Sequence, residues 1–177
     1  MSIYEDLDVL LGKTDLSDTD SESGGGFENL PDGYYLCEVV KAELKTSQSS
    51  KNPMMSFQFR TVEDGNEITV LDNGEITQKA LKGTKGRMLF VHYVFKDERG
   101  IKRFASDMLK FESEEGVSLL PKEAFSNSET MMDAMDVLQG MQIYVQVSTT
   151  VNKEGISSTW NNLISWKRAS QLELLTF

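Results

Sequence analysis

Apolar and polar residues alternate with a period of two over several stretches of the chain, and this pattern predicts most of its strands. Tyr34 to Leu44 alternates, with Tyr35, Cys37 and Val39 set against Glu38. Met54 to Val62 is the clearest case: Met55, Phe57 and Phe59 share one face, while Ser56, Gln58 and Arg60 share the other. Arg87 to Phe95 is apolar on both faces, which predicts a strand that is buried or covered by a ligand. Met141 to Val151 alternates again, with Ile143, Val145 and Val147 inward and Tyr144, Gln146 and Ser148 outward. Ser158 to Trp166 reads as the closing strand. Helical spacing interrupts this series twice. Ile101 to Glu112 carries Phe104 and Met108 one turn apart. Ser128 to Leu138 carries a stripe of Met131, Met132, Met135 and Leu138, with Ser128 as its cap and Gly140 at its end. Glu63 to Leu81 is an acidic excursion with turns at Asp64-Gly65 and Asn73-Gly74, and a short strand over residues 67–71.

Strand, strand, strand, helical insertion, strand, strand is the order of a five-stranded OB-like barrel, with the helices between strands 3 and 4. The expected fold is therefore mainly β. That domain is expected over residues 27–177. Ahead of it, residues 1–26 combine Ile3, Leu7 and Leu10 at helical spacing with a Ser-, Asp- and Gly-rich run from Lys13 to Gly26. That run holds too little apolar surface to fold and reads as a flexible acidic linker.

The net charge of −10 argues against a nucleic-acid partner until its distribution is considered. Residues 1–26 carry seven acids and one lysine, while Lys79 to Arg103 carries eight basic residues and two acids. Phe104 to Gly140 reverses that balance, with eight acids and two lysines. Local field decides whether a phosphate chain is attracted. Single-strand binding needs cations along the phosphates and flat rings for unpaired bases. The candidate cations are Lys45, Lys51, Arg60, Lys82, Lys85, Arg87, Lys102 and Lys153. The candidate rings are Tyr34, Tyr93 or its neighbour Phe90, Tyr144 and Trp160.

Catalysis finds little support. The one histidine, His92, has no sequence partner that marks it as a base, and no His/Cys set suits zinc. No Walker, serine-elbow or dinucleotide glycine motif is present. A non-enzyme without cofactor or metal is expected, with a scattered-carboxylate nuclease as a distant alternative. Gly83-Thr84-Lys85-Gly86 matches the backbone-clamping loop of KH domains, but that loop joins helices and here it feeds a strand. Cys37 is the one cysteine, so no internal disulfide forms, and with no apolar run long enough for a membrane the chain is expected in the cytoplasm.

Pro31-x-Gly33-x-Tyr35, the Val39 and Lys41-Ala42-Glu43 strand end, the Ser/Lys loop through Asn52-Pro53-Met54, and Lys85-Gly86-Arg87 together carry a resemblance. Over roughly half of its length the chain resembles small bacteriophage-encoded single-stranded-DNA-binding proteins of OB-fold type. The resemblance implies a sequence-tolerant binder of single-stranded DNA in replication, recombination or repair. It implies Lys45, Lys51, Arg60, Lys85 and Arg87 as contacts. Many such proteins end in an acidic tail with a terminal aromatic that recruits partners. Here the chain ends SQLELLTF, with Phe177 last and Glu173 the one nearby acid, and the acidic stretch lies at the front. The front segment is then a solubilising tail, an occupant of the cationic groove, or a docking site for a replication or recombination protein. A homo-oligomer is left open. The rival reading is an acidic interaction module that mimics nucleic acid and binds a host or replisome protein.

Overall fold

A computed structural model describes Asp8, Leu11, Gly12 and residues 30–113 and 115–174. The remainder of the predicted acidic segment and linker, the domain start at Phe27 and the terminal Phe177 lie outside the described residues. Among the residues described between 30 and 174, the fold is mainly β: one open antiparallel sheet of seven strands with three α-helices. In chain order these are β1 (Gly33–Thr46), β2 (Pro53–Thr61), β3 (Gly65–Val70), β4 (Ile76–Leu81), β5 (Met88–Val94), α1 (Glu98–Met108), α2 (Ser128–Leu138), β6 (Gln142–Val151), β7 (Ser157–Ile164) and α3 (Trp166–Gln171). A 3-10 turn, Lys122–Phe125, precedes α2.

The sheet branches at β1. Its length lets it pair with β2 from Cys37 to Thr46, with β3 at Tyr34, and along its other edge with β6 from Gly33 to Glu38. A bulge between Val39 and Lys41 breaks the β1–β2 register, and such a bulge bends the strand. The bend is secured from outside the ladder. Val39 N–H donates to Met141 O, Gly140 N–H donates to Val39 O, and Gln139 Nε2 donates to Val40 O. From β1 the sheet continues through β2 to β5 and through β6 to β7. Every ladder is antiparallel, so β5 and β7 both run with β1 and parallel to each other.

The sequence pattern predicts a closed five-stranded barrel, and among the described residues the sheet stays open. Among the described residues no ladder joins β5 to β7, although the two strands approach one another and Asn161 Nδ2 donates to Phe90 O at 2.9 Å. The excursion over 63–81 is a hairpin of β3 and β4, two strands where one was expected.

The inward faces of β1, β2, β5, β6 and β7 enclose the main core, and the helical insertion completes it. Phe104 of α1 meets Tyr93 and Phe95 edge-on at 5.3 Å and Phe125 edge-on at 5.8 Å, and lies tilted against Phe57 at 6.4 Å. Asp97 caps α1, its Oδ1 accepting from Arg99 N–H and Gly100 N–H. Asn127, not Ser128, caps α2 by accepting from Thr130 N–H. Met135 and Leu138 are buried as the helical stripe predicts, with Met131 and Met132 partly buried beside them.

A second, smaller cluster lies on the opposite side of β1 and β6. There α3 and Leu174 cover Tyr144, with Tyr34, Leu36, Ile68, Ile164 and Trp166 packed around. Gln78 Nε2 on β4 donates to Leu172 O and Glu173 O, which ties the hairpin to the C-terminal segment.

Candidate nucleic-acid interface

Two of the expected ring platforms are buried. Tyr93 is 1% exposed, and its hydroxyl donates to Asp107 Oδ2 at 2.7 Å. Burial, then the Asp107 carboxylate, raises its pKa. The Arg103 guanidinium lies 5.3 Å from the centre of the Tyr93 ring. Lys110 completes this network, donating to Asp107 Oδ1 and to Leu163 O. Tyr144 is 4% exposed. It does lie on the face opposite Ile143 and Val145, as the alternation requires. That face is covered by α3, which begins at Trp166, the residue where the expected closing strand ends. Tyr144 Oη donates to Leu174 O at 3.0 Å, Trp166 meets the ring edge-on at 5.7 Å, and burial pushes the phenol up to about 12. Tyr34 is partly buried against the same cluster.

The open face lies on β2, β5 and β7. On β5, Leu89, Val91 and Tyr93 point inward, which leaves Phe90 and His92 outward, with Phe90 48% exposed. Their rings stack at 6.4 Å with planes 15° apart. Opposite them on β2 stand Gln58 and Ser56, and Arg60 follows on the same face. Trp160 of β7 is 51% exposed, and its Nε1 donates to Thr150 Oγ1 at 2.9 Å. Asn161, next to Trp160, holds the Phe90 carbonyl, so the two outward rings flank the junction of β5 and β7. The alternation of β5 is hidden in the sequence because every position from Met88 to Val94 except His92 is apolar. Which ring faced out, Phe90 or Tyr93, follows only once Val91 and Tyr93 are seen against Phe57 and Met55.

The cations divide between the two ends of this face. Lys45 and Lys51 lie at one end, around the β1–β2 turn, where Ser47 N–H donates to Asn52 O and Lys51 adopts φ 64°. Lys45 is near enough to His92 to add to the burial that lowers the imidazole pKa. Lys102, on α1, stands beyond the same end of β5 and pairs with Glu98 at 3.3 Å. Lys82, Lys85 and Arg87 lie at the other end, in the connection from β4 to β5, and Lys153 sits in the turn from β6 to β7. The Lys79–Arg103 run is therefore not one stripe: the length of β5 separates its two halves, about 20 Å apart for a seven-residue strand.

Carboxylates temper several of these charges. Glu43 accepts from Lys41 at 3.1 Å and Lys45 at 3.5 Å, and the hydrogen bond from Lys41 holds its carboxyl below the usual range. Arg60 lies 3.8 Å from Glu38. Lys51, Lys82, Lys85 and Lys153 are exposed and form no ion pair among the described residues.

The β4–β5 connection is held by side-chain hydrogen bonds to its backbone. Thr84 N–H and Lys85 N–H both donate to Asp64 Oδ1, Thr84 Oγ1 accepts from Gly65 N–H, and Thr61 Oγ1 accepts from Arg87 N–H while donating to Thr84 O. Gly83 and Gly86 take φ near 80°, the left-handed region that glycine enters freely. This connection joins two strands, so the KH reading of Gly83–Gly86 does not apply. Among the described residues no group of three or more His, Cys, Asp or Glu side chains is placed to hold a metal, and no helix is long and apolar enough to cross a membrane.

A search of curated proteins finds no match to the chain. A family model described as "Protein of unknown function (DUF669)" does match, over residues 17–172, and a match across that much of the chain makes it a member of this family.

Proposed function

We propose that β1, β2, β5, β6 and β7 are an OB-like barrel left open along one seam, and that its outer β2–β5–β7 face binds single-stranded DNA without regard to sequence. The reading extends to phage replication, recombination or repair, where strands must be coated rather than cut. The observation that carries it is the pair of half-exposed rings, Phe90 and Trp160, flanking one junction with His92 stacked on the first. Large rings that stay in water are unfavourable for the free protein, while each base stacked on one contributes about 1–3 kcal/mol. Lysines at both ends of the face supply phosphate contacts along the path, within the ~4–16 nucleotides that one such fold covers.

The direct test is oligo-dT binding, by anisotropy at low salt, against duplex DNA of equal length. Phe90→Ala and Trp160→Ala each lower dT affinity by about 5- to 150-fold, the equivalent of one lost stack. Thermal unfolding is little changed, because both rings are outside the core. Absence of dT binding by the unsubstituted chain at low salt overturns the reading and favours the acidic interaction module instead.

A further inference from the structure

Asn161 occupies a position where the sheet calls for an apolar side chain. It lies two residues before the buried Leu163 on the same face of β7, and it pairs with buried Val147 on β6. The end of its amide toward β5 must be the NH2 group, because the Phe90 carbonyl can only accept. That orientation leaves Oδ1 screened from solvent with no hydrogen-bond partner. An unpaired buried acceptor weakens a fold. Asn161 therefore destabilises the core at one atom and bridges β5 and β7 with another.

The bridge stands where a ladder is missing. β5 and β7 run parallel and close together, and among the described residues no backbone pairing joins them. The two groups nearest the bridge in the chain are the exposed rings. Phe90 supplies the carbonyl, and Trp160 precedes the amide on the outward face. We propose that Asn161 is a positioning residue that holds β7 against β5 and so makes Phe90 and Trp160 one platform for consecutive unpaired bases. The inference rests on the single-strand reading above and adds the device that sets the spacing of the rings. Losing the bridge leaves the β2–β5 and β6–β7 ladders intact, so ring spacing is separable from folding.

Asn161→Leu tests this, because it removes both the bridge and the unpaired acceptor. The midpoint of thermal unfolding is expected to hold or rise while oligo-dT affinity falls by at least about 5-fold, the lower bound for one lost stack. A side chain that served only the core would move both the same way. Asn161→Val repeats the test should the leucine overfill the site. In a double-mutant cycle, Phe90→Ala and Trp160→Ala are coupled in the unsubstituted chain and additive in the Asn161→Leu background. Unchanged affinity or unchanged coupling in both Asn161 variants overturns the proposal. Amide hydrogen exchange without DNA separates the two readings. Faster exchange across residues 89–91 and 160–162 in the variants supports the bridge even if the chain binds no dT. Unchanged exchange overturns the bridge even if dT binds.

Discussion

His92 joins the charge of the open face to its rings. It stacks on Phe90, opposes Ser56 across the ladder, and feels Lys45 from the end of β1. Burial first, and Lys45 second, lower its pKa below the ordinary 6.5. The unfolded chain therefore binds the proton more readily. As pH falls below about 6.5 the unfolded state gains protons that the fold resists, and stability declines. His92→Gln should flatten this part of the pH profile, measured as urea midpoints between about pH 5 and pH 7. A DNA phosphate reverses the sign at the same atom: it favours imidazolium, so dT affinity should rise as pH falls over that window in the unsubstituted chain and not in His92→Gln. Much of this residue-level picture lay beyond the sequence. Phe90, His92 and Tyr93 stand within four positions of one another in a nearly all-apolar strand, and no local pattern says which of them meets water.

At the scale of elements, period-two alternation places β1, β2 and β6 close to their observed limits, and an unbroken apolar run does the same for β5. β4 carries no such signal, because ITQKAL is polar at its centre and buries little. The short α3 is not legible in the pattern, because Ser158 to Trp166 reads as one strand and the Ser165 cap, whose Oγ accepts from Arg168 N–H, turns the chain at Trp166. Tyr144 shares this difficulty, for a ring on the outer face of β6 looks like a base platform until a helix is laid over it. Tyr144→Phe tests the corrected role. It removes the bond to Leu174 O and should cost about 0.5–1.5 kcal/mol by chemical denaturation. Oligo-dT affinity should be unaffected, whereas a loss comparable to Phe90→Ala would return Tyr144 to the interface.

For the whole molecule, the total of −10 is a poor guide to what the open face attracts. Among the acids near its cations, Glu38, Glu43 and Glu98 are engaged with Arg60, Lys41, Lys45 and Lys102, while the lysines of the turns form no ion pair among the described residues. The turns, not the strands, should therefore dominate the salt response. Each phosphate neutralised contributes about −0.7 to the slope of log affinity against log salt for single strands. Lys51→Gln and Lys153→Gln should each make that slope shallower by about 0.7, and Lys102→Gln by less. The position of Cys37 has a practical consequence at this same scale. It sits where β1 is gripped from both edges, facing Thr61 on one side and Ile143 on the other, and burial pushes its thiol up to about 12. A thiol reagent should find nothing to modify until those neighbours part, so the rate of labelling in dilute denaturant would clock global opening of the native chain with no engineered probe. Prompt labelling in plain buffer would mean that the centre of the sheet breathes on its own.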